Sequence, residues 1–158
     1  IERKVEAIEY LRGYKEVGKD VAIIGGGLTG CEIAYDLALK GKRPMIIEVA
    51  DDILKTKGLC MANSSCLRDL LKYYNVPIYL NSTLTEINSN SIVITTPDGK
   101  KEFKIDSVIT SCGYIPDNSL ISEEMLKENS NIHLLGDAKN VGNLKTVIWD
   151  AYELAFSI

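Results

Sequence analysis

The segment Val21-Ala-Ile-Ile-Gly-Gly-Gly-Leu-Thr-Gly-Cys-Glu32 is the part of the chain from which its fold can best be predicted. Its first four residues are apolar, as is typical of a buried parallel strand. Three glycines follow at the spacing Gly25-x-Gly27-x-x-Gly30, directly before a helical pattern. Such a turn presents free N–H groups and the positive end of a helix dipole to a phosphate. The segment therefore predicts a strand, a phosphate-binding turn and a helix.

Each glycine of this turn has its own predicted role. Gly25 permits the tight turn out of the strand, Gly27 lets a pyrophosphate approach the backbone, and Gly30 lets the helix pack closely on the strand. The predicted dinucleotide-binding turn comprises Gly25, Gly26, Gly27, Leu28, Thr29 and Gly30.

An acidic residue follows the next apolar strand, residues 45–47. This residue, Glu48, lies eighteen positions after Gly30. In dinucleotide-binding folds an acid at about this distance accepts hydrogen bonds from the adenosine ribose. Its charge would repel a 2′-phosphate, so the sequence favours NAD over NADP. Two alternatives remain open: a solvated carboxylate at a strand end, and a glycine-rich turn of another α/β protein.

The rest of the chain predicts an α/β fold in which a Rossmann-like, three-layer βαβ unit with a parallel sheet carries an antiparallel β-meander. Residues 1–19 form a connector, with Val5, Ile8 and Leu11 at helical spacing. Further helices are expected at about 28–40, 60–74, 122–129 and 143–156. Strands are expected at 78–80, 83–87, 91–95, 101–104, 106–110 and 131–135. The basic run 40–43 lies at the edge of the sheet opposite the expected ligand, where its cations stabilise a helix end.

Composition narrows the function classes. The net charge of −4, with no basic patch interleaved with aromatic residues, argues against a nucleic-acid partner. No segment approaches the roughly 20 apolar residues of a membrane span, and the charged first residues do not resemble a signal peptide. The four cysteines and one histidine lack the spacing of a zinc or iron–sulfur site, so no metal site is expected. A cytoplasmic location and a small-molecule or protein partner are expected.

The order of motifs resembles the two-dinucleotide-binding flavoprotein family that includes the pyridine-nucleotide disulfide reductases. The resemblance rests on Gly-Leu-Thr-Gly-Cys-Glu32, the meander, Ser-Val-Ile-Thr-Ser-Cys-Gly-Tyr-Ile-Pro116 and Leu-Leu-Gly-Asp137-Ala. Within that family, Leu-Arg-Asp-Leu-Leu-Lys-Tyr-Tyr-Asn-Val76 and Gly-Asp-Ala-Lys-Asn-Val-Gly-Asn-Leu144 are similar to the C-terminal region of enoate reductases and 2,4-dienoyl-CoA reductases. The resemblance covers nearly the whole chain.

The resemblance implies a domain organisation. Residues 20–112 would be an NAD(P)-binding domain, and residues 113–158 the C-terminal strand and helix of an FAD-binding domain. The chain begins with Ile1 and stops within a helical pattern, so a piece of a longer polypeptide is expected. The missing parts would be the first half of the FAD domain and an upstream barrel with FMN and a 4Fe–4S cluster.

The resemblance also implies site roles. Glu32 would lie near the nicotinamide, Gly113 where the backbone passes close to NAD, and Asp137 on the ribityl chain of FAD. Each has a plainer alternative: an exposed helix-face charge, a turn glycine, and an Asp that binds local backbone N–H groups. The N-terminus of the last helix, near Asn143, would point at the flavin ring.

The implied activity is hydride transfer from NADH to FAD, serving the reduction of an activated C=C bond. The cofactors hold this chemistry, so no catalytic residue is expected here, and the fragment alone is expected to be inactive. Alternatives are a regulatory module that senses NADH, and an NADH oxidase or ferredoxin reductase of the same architecture.

Five side chains are expected to fill space and to take no part in chemistry. His133 in its apolar strand and Trp149 on the last helix should be packed, and Cys66 and Cys112, like Cys31, should be buried or half-buried.

Overall fold

A computed structural model describes residues 2–55, 58–129 and 131–157 of the chain. The chain forms two compact units, Ile1–Gly113 and Tyr114–Ile158. In chain order the strands are β1 Lys4–Glu6, β2 Asp20–Ile24, β3 Arg43–Ile47, β4 Ile78–Tyr79, β5 Thr83–Ile87, β6 Ser91–Thr96, β7 Gly99–Lys104 and β8 Ser107–Thr110. The helices are α1 Ala7–Leu11, α2 Leu28–Leu39, α3 Met61–Tyr73, α4 Glu123–Glu128 and α5 Leu144–Ala155.

The first unit contains a parallel sheet with the strand order β1-β8-β2-β3-β4. Strand β2 is central, and its side chains alternate between two cores. Val21 and Ile23 pack with α2 and α3 on one face, whereas Ala22 packs with Ile92 and Ile94 of β6 on the other. Both faces of β2 are therefore buried, which explains its unbroken apolar sequence.

The meander covers the second face of the parallel sheet. Strands β5, β6 and β7 pair antiparallel in that order. Arg3 donates from Nη2 to the Ser91 carbonyl at 2.6 Å and from Nε to the Asn88 carbonyl at 3.1 Å, which ties the N-terminal segment to the meander. Helices, parallel sheet and meander form three layers, so the predicted fold is confirmed.

The N-terminal segment differs from the prediction. Val5 lies in strand β1, opposite Ile109 of β8, and is 1% exposed. The helix expected there is limited to Ala7–Leu11, and Leu11 on its predicted apolar face is 56% exposed. The helical spacing is misleading because Val5 is buried by pairing of its strand with β8, more than 100 positions away in the sequence. Local periodicity contains no information about such a distant partner.

The basic run 40–43 lies at the amino end of the sheet. The ammonium of Lys40 contacts Asp36 at 2.7 Å, and Arg43 makes a bidentate pair with Asp20. Lys42 donates to the Gly18 carbonyl at 3.1 Å. These cations lie at the predicted edge of the sheet and bind Asp36, Asp20 and the Gly18 carbonyl, whereas their stabilisation of the helix end stays a prediction.

The second unit contains α4, a 3₁₀ turn at Gly136–Ala138, and α5. The predicted strand 131–135 is wrong, since these residues join no sheet in the described part of the chain, and His133 is exposed. A strand needs a neighbouring backbone, and apolar sequence alone does not supply one.

Helix α5 begins where predicted but is not buried. Asn143 and Thr146 form a capping box at its start. None of its side chains is buried, and Trp149 is 54% exposed, so the expected packing of Trp149 is wrong within the described residues. The amphipathic pattern specifies a helix without specifying what covers its apolar face. No described helix has the length and hydrophobicity of a membrane-spanning segment.

Candidate functional site

The glycine turn connects β2 to α2, and two of its glycines are required by close backbone contacts. Gly25 has φ +109°, and a Cβ there would lie 2.2 Å from the Ser111 carbonyl oxygen. A Cβ on Gly30 would lie 2.0 Å from the Gly25 carbonyl oxygen. Both positions exclude any larger residue for reasons internal to the fold.

Gly27 is different because it faces open space. A Cβ on Gly27 would have no neighbour within 4 Å, and its φ of −67° suits any residue. Gly27 is also the N-cap of α2, and no side chain of the described residues caps the helix. Within the described part of the chain, the first-turn N–H groups therefore lack the side-chain acceptor that an N-cap commonly provides. An uncapped helix start beside an open backbone surface fits a pyrophosphate.

Glu48 lies against this turn at the end of β3. Its carboxylate is half-buried and accepts hydrogen bonds from the Gly26 N–H at 2.5 Å and from the Ala50 N–H at 2.7 Å. Tertiary structure thus brings together the two features that the sequence placed eighteen residues apart. The carboxylate is held by backbone donors and is not merely solvated at a strand end.

The loop after Glu48 contributes contacts that the sequence analysis missed. The Leu54 N–H donates to the Gly26 carbonyl at 2.8 Å, and Arg68 of α3 pairs with Asp52 in the same loop. No sequence signal connects the adjacent acids Asp51 and Asp52 to Arg68, which follows Asp52 by 16 positions.

The remaining predicted residues take part in none of the hydrogen bonds described above. Glu32 is exposed on α2, four residues after Leu28. Gly113 ends the first unit with φ +87°, two residues after Ser111, whose carbonyl contacts Gly25. Asp137 belongs to the second unit, where its Oδ1 accepts from the Gly142 N–H at 3.0 Å.

The cysteines separate into one buried and three exposed thiols. Cys31 is buried behind the turn, and its Sγ lies 3.4 Å from the Gly26 carbonyl oxygen. Burial raises the pKa of Cys31 to about 12, so this thiol stays protonated. Cys66 and Cys112 are exposed, contrary to expectation. Residue type favours burial of cysteine on average, but the neighbours of each position decide.

Among the residues described, no three His, Cys, Asp or Glu side chains are grouped as a metal site would require.

Comparison with known proteins agrees with the geometry. A cinnamate reductase from Clostridium sporogenes is 37% identical over 153 residues, which cover 96% of this chain and 23% of that protein. An NADH oxidase from Thermoanaerobacter brockii is 27% identical over 158 residues, covering 97% of this chain and 24% of that protein. The structure of a 2-naphthoyl-CoA reductase superposes with a TM-score of 0.80 and 25% identity, covering 98% of this chain and 23% of that one.

The chain spans about a quarter of the length of these relatives. The profile of the pyridine nucleotide-disulphide oxidoreductases matches residues 3–145, which include the glycine turn, the meander and Asp137. With its sheet order, uncapped glycine turn and acid at the end of β3, the chain belongs to the pyridine nucleotide-disulphide oxidoreductase family.

Proposed function

We propose that this chain is the NADH-binding part of a flavin-dependent reductase. The observation that carries the proposal is the uncapped start of α2 at Gly27, beside a carboxylate that the backbone holds in place. The family, whose members use pyridine nucleotides, supplies independent support.

The glycine turn would hold the pyrophosphate of the dinucleotide. Gly27 leaves room for phosphate oxygens at van der Waals distance from the backbone. The N–H groups of Leu28 and Thr29 and the dipole of the 12-residue helix α2 would oppose the phosphate charge.

Glu48 would select NADH over NADPH. Backbone donors fix its carboxylate beside Gly26, where the free lone pairs can accept from ribose hydroxyls. The Glu48 carboxylate would repel a 2′-phosphate at the same place. Moving the carboxylate aside would break its hydrogen bonds to the Gly26 and Ala50 N–H groups. In this proposal Glu32 lies near the nicotinamide, and Gly113 lies where the chain passes close to it.

The second unit would contribute to an FAD site. Asp137 would accept from the ribityl chain with the carboxylate oxygen that is not bonded to Gly142. When FAD is bound, it would accept the hydride of NADH; this chain would orient the dinucleotide and exclude water, and no side chain need transfer a proton. The N-terminus of α5 at Asn143 would face the flavin.

The rest of a longer polypeptide would complete the enzyme. The cinnamate reductase and the 2-naphthoyl-CoA reductase both carry a region like this one within a chain about four times as long. We infer that the complete protein reduces an activated C=C bond of the 2-enoate or dienoyl-CoA type, with FMN and a 4Fe–4S cluster in the additional domains. On this proposal the 158 residues alone bind NADH but reduce no alkene.

The NADH oxidase from Thermoanaerobacter brockii supports a second candidate, NADH oxidation with oxygen as the acceptor. The two candidates differ in the electron acceptor and share the NADH site. NADH consumption by the complete protein, measured in air and then anaerobically with cinnamate, would distinguish them.

Calorimetric titration of the protein with NADH and NADPH at one fixed salt concentration tests the site. We expect NADH to bind at least tenfold more tightly than NADPH. Glu48→Gln should weaken NADH binding and reduce the preference for NADH over NADPH. Glu86→Gln, at an exposed position of the meander, should change neither the affinity nor the preference. Equal binding of NADH and NADPH would refute the role of Glu48, and binding of neither would refute the proposed site.

A further inference from the structure

Arg68 of helix α3 binds the described part of the loop between β3 and α3. Arg68 donates from Nη1 and Nη2 to the two carboxylate oxygens of Asp52, at 2.8 and 2.9 Å. Its Nη2 also donates to the Ile53 carbonyl at 2.6 Å. A planar guanidinium can make these contacts together, whereas a lysine ammonium cannot reproduce the fork.

The same loop is pressed against the glycine turn. Ile53 and Leu54 are 4% and 6% exposed, and a Cβ placed on Gly26 would lie 2.8 Å from Cγ2 of Ile53. Leu54 has φ +57°, a left-handed conformation that a leucine seldom adopts. Its surroundings must hold it there, and Arg68 binds the preceding carbonyl.

The peptide between Gly26 and Gly27 is the point of contact. Its carbonyl accepts from the Leu54 N–H at 2.8 Å and lies 3.4 Å from the Cys31 Sγ. A trans peptide is planar, so its C=O and N–H point in opposite directions. Fixing the Gly26 carbonyl towards Leu54 therefore fixes the Gly27 N–H in the opposite direction, at the uncapped start of α2.

We propose that Arg68 and Asp52 are positioning residues of the dinucleotide site, although neither belongs to the glycine motif. Through Ile53 and Leu54 they orient the Gly26–Gly27 peptide and so the first N–H group available to the pyrophosphate. The inference rests on the proposed NADH site and adds that α3 determines part of its affinity. Glu48 binds the Gly26 N–H, whereas Arg68 and Asp52 act through the Leu54 N–H, which binds the Gly26 carbonyl.

The test compares two arginines that make similar ion pairs. Arg68→Met keeps the alkyl stem and removes the fork, and Arg43→Met does the same for the bidentate Arg43–Asp20 pair at the amino end of the sheet. For each variant, the dissociation constant for NADH and the hydrogen exchange of the Leu54 amide are measured on the protein, together with the melting temperature. Arg68→Lys is included because it keeps the charge without the fork.

We expect Arg68→Met to raise the dissociation constant for NADH roughly three- to tenfold, as lost preorganisation of one contact does, and to speed exchange of the Leu54 amide. Arg43→Met should lower the melting temperature to a similar extent with unchanged NADH affinity. Arg68→Lys should recover part of the melting temperature and little of the affinity.

Two results would overturn the proposal while leaving the NADH site intact. One is wild-type affinity in Arg68→Met, and the other is an equal loss in Arg43→Met, which would show a general effect of stability. If the wild-type protein itself failed to bind NADH, the proposed function and this inference would both be wrong.

Discussion

Replacement of Gly27 by alanine separates binding from folding. The backbone of Gly27, with φ −67° and ψ −176°, is accessible to alanine, and the new Cβ would meet nothing within 4 Å. Alanine is a poorer N-cap than glycine by up to about 1 kcal/mol, and it lowers the entropy of the unfolded chain by a similar amount in free energy. The free energy of unfolding should therefore change by less than about 1 kcal/mol.

The binding of NADH should respond much more strongly to Gly27→Ala. The methyl group would occupy the space through which a pyrophosphate approaches the N–H groups of α2. A loss of at least about 1.4 kcal/mol, or tenfold in the dissociation constant, is expected. Calorimetry with NADH measures the affinity, and guanidinium unfolding measures the stability.

Gly30→Ala is the matched comparison. Its Cβ would lie 2.0 Å from the Gly25 carbonyl oxygen and 3.4 Å from Cγ2 of Ile23, so the backbone must shift. A loss of roughly 2–4 kcal/mol in the free energy of unfolding is expected. Wild-type NADH affinity in Gly27→Ala would refute the reasoning, because it would mean that no ligand approaches the backbone there. A large loss of stability in Gly27→Ala would refute the assignment of open space.

Three further predictions concern the thiols, the Asp52 carboxyl and a helix end. At pH 8 iodoacetamide should label Cys60, because the N–H groups of Asn63 and Ala62 lower its pKa, and it should spare Cys31, because burial raises the pKa of that thiol to about 12. Peptide mass spectrometry measures the labelling of both thiols. Labelling of Cys31 in the folded protein would contradict its burial. The Arg68 guanidinium lowers the pKa of Asp52 below 3.8, so the unfolded state binds more protons, and the pair's contribution to stability is present above pH 3.8 and lost as the pH falls further. Between pH 6 and pH 3.5, the free energy of unfolding measured in urea should fall less for Asp52→Asn than for the wild type. An equal fall in both proteins would contradict the pairing. Gly41 follows α2 with φ +71°, so Gly41→Ala should lower the free energy of unfolding by about 1 kcal/mol and leave NADH affinity unchanged. Unaltered stability of this variant would contradict the left-handed conformation at the helix end.

The features that the sequence predicted are those set by neighbouring residues. The strand, turn and helix around Gly25, the meander, and the ends of α2 and α3 depend on glycine spacing, periodicity and turn residues within a few positions. Glu48 could be predicted because a βαβ unit brings the ends of adjacent parallel strands together whatever its loops contain.

Predictions that depended on the burial of single residues were less successful. Val5 joins a strand instead of a helix, whereas His133 and Trp149 are exposed despite apolar surroundings in the sequence. Burial depends on what the rest of the fold places beside a residue, and an apolar pattern does not identify that partner.

Glycine spacing and apolar periodicity are sufficient to predict the α/β architecture, the glycine turn and the acid at the end of β3. How the turn is held depends on tertiary contacts: Glu48 accepts from the Gly26 N–H, and the Leu54 N–H, next to the Ile53 carbonyl that Arg68 binds, donates to the Gly26 carbonyl. These contacts join residues up to 28 positions apart, Gly26 and Leu54, and such residues come together only when the sheet and helices pack.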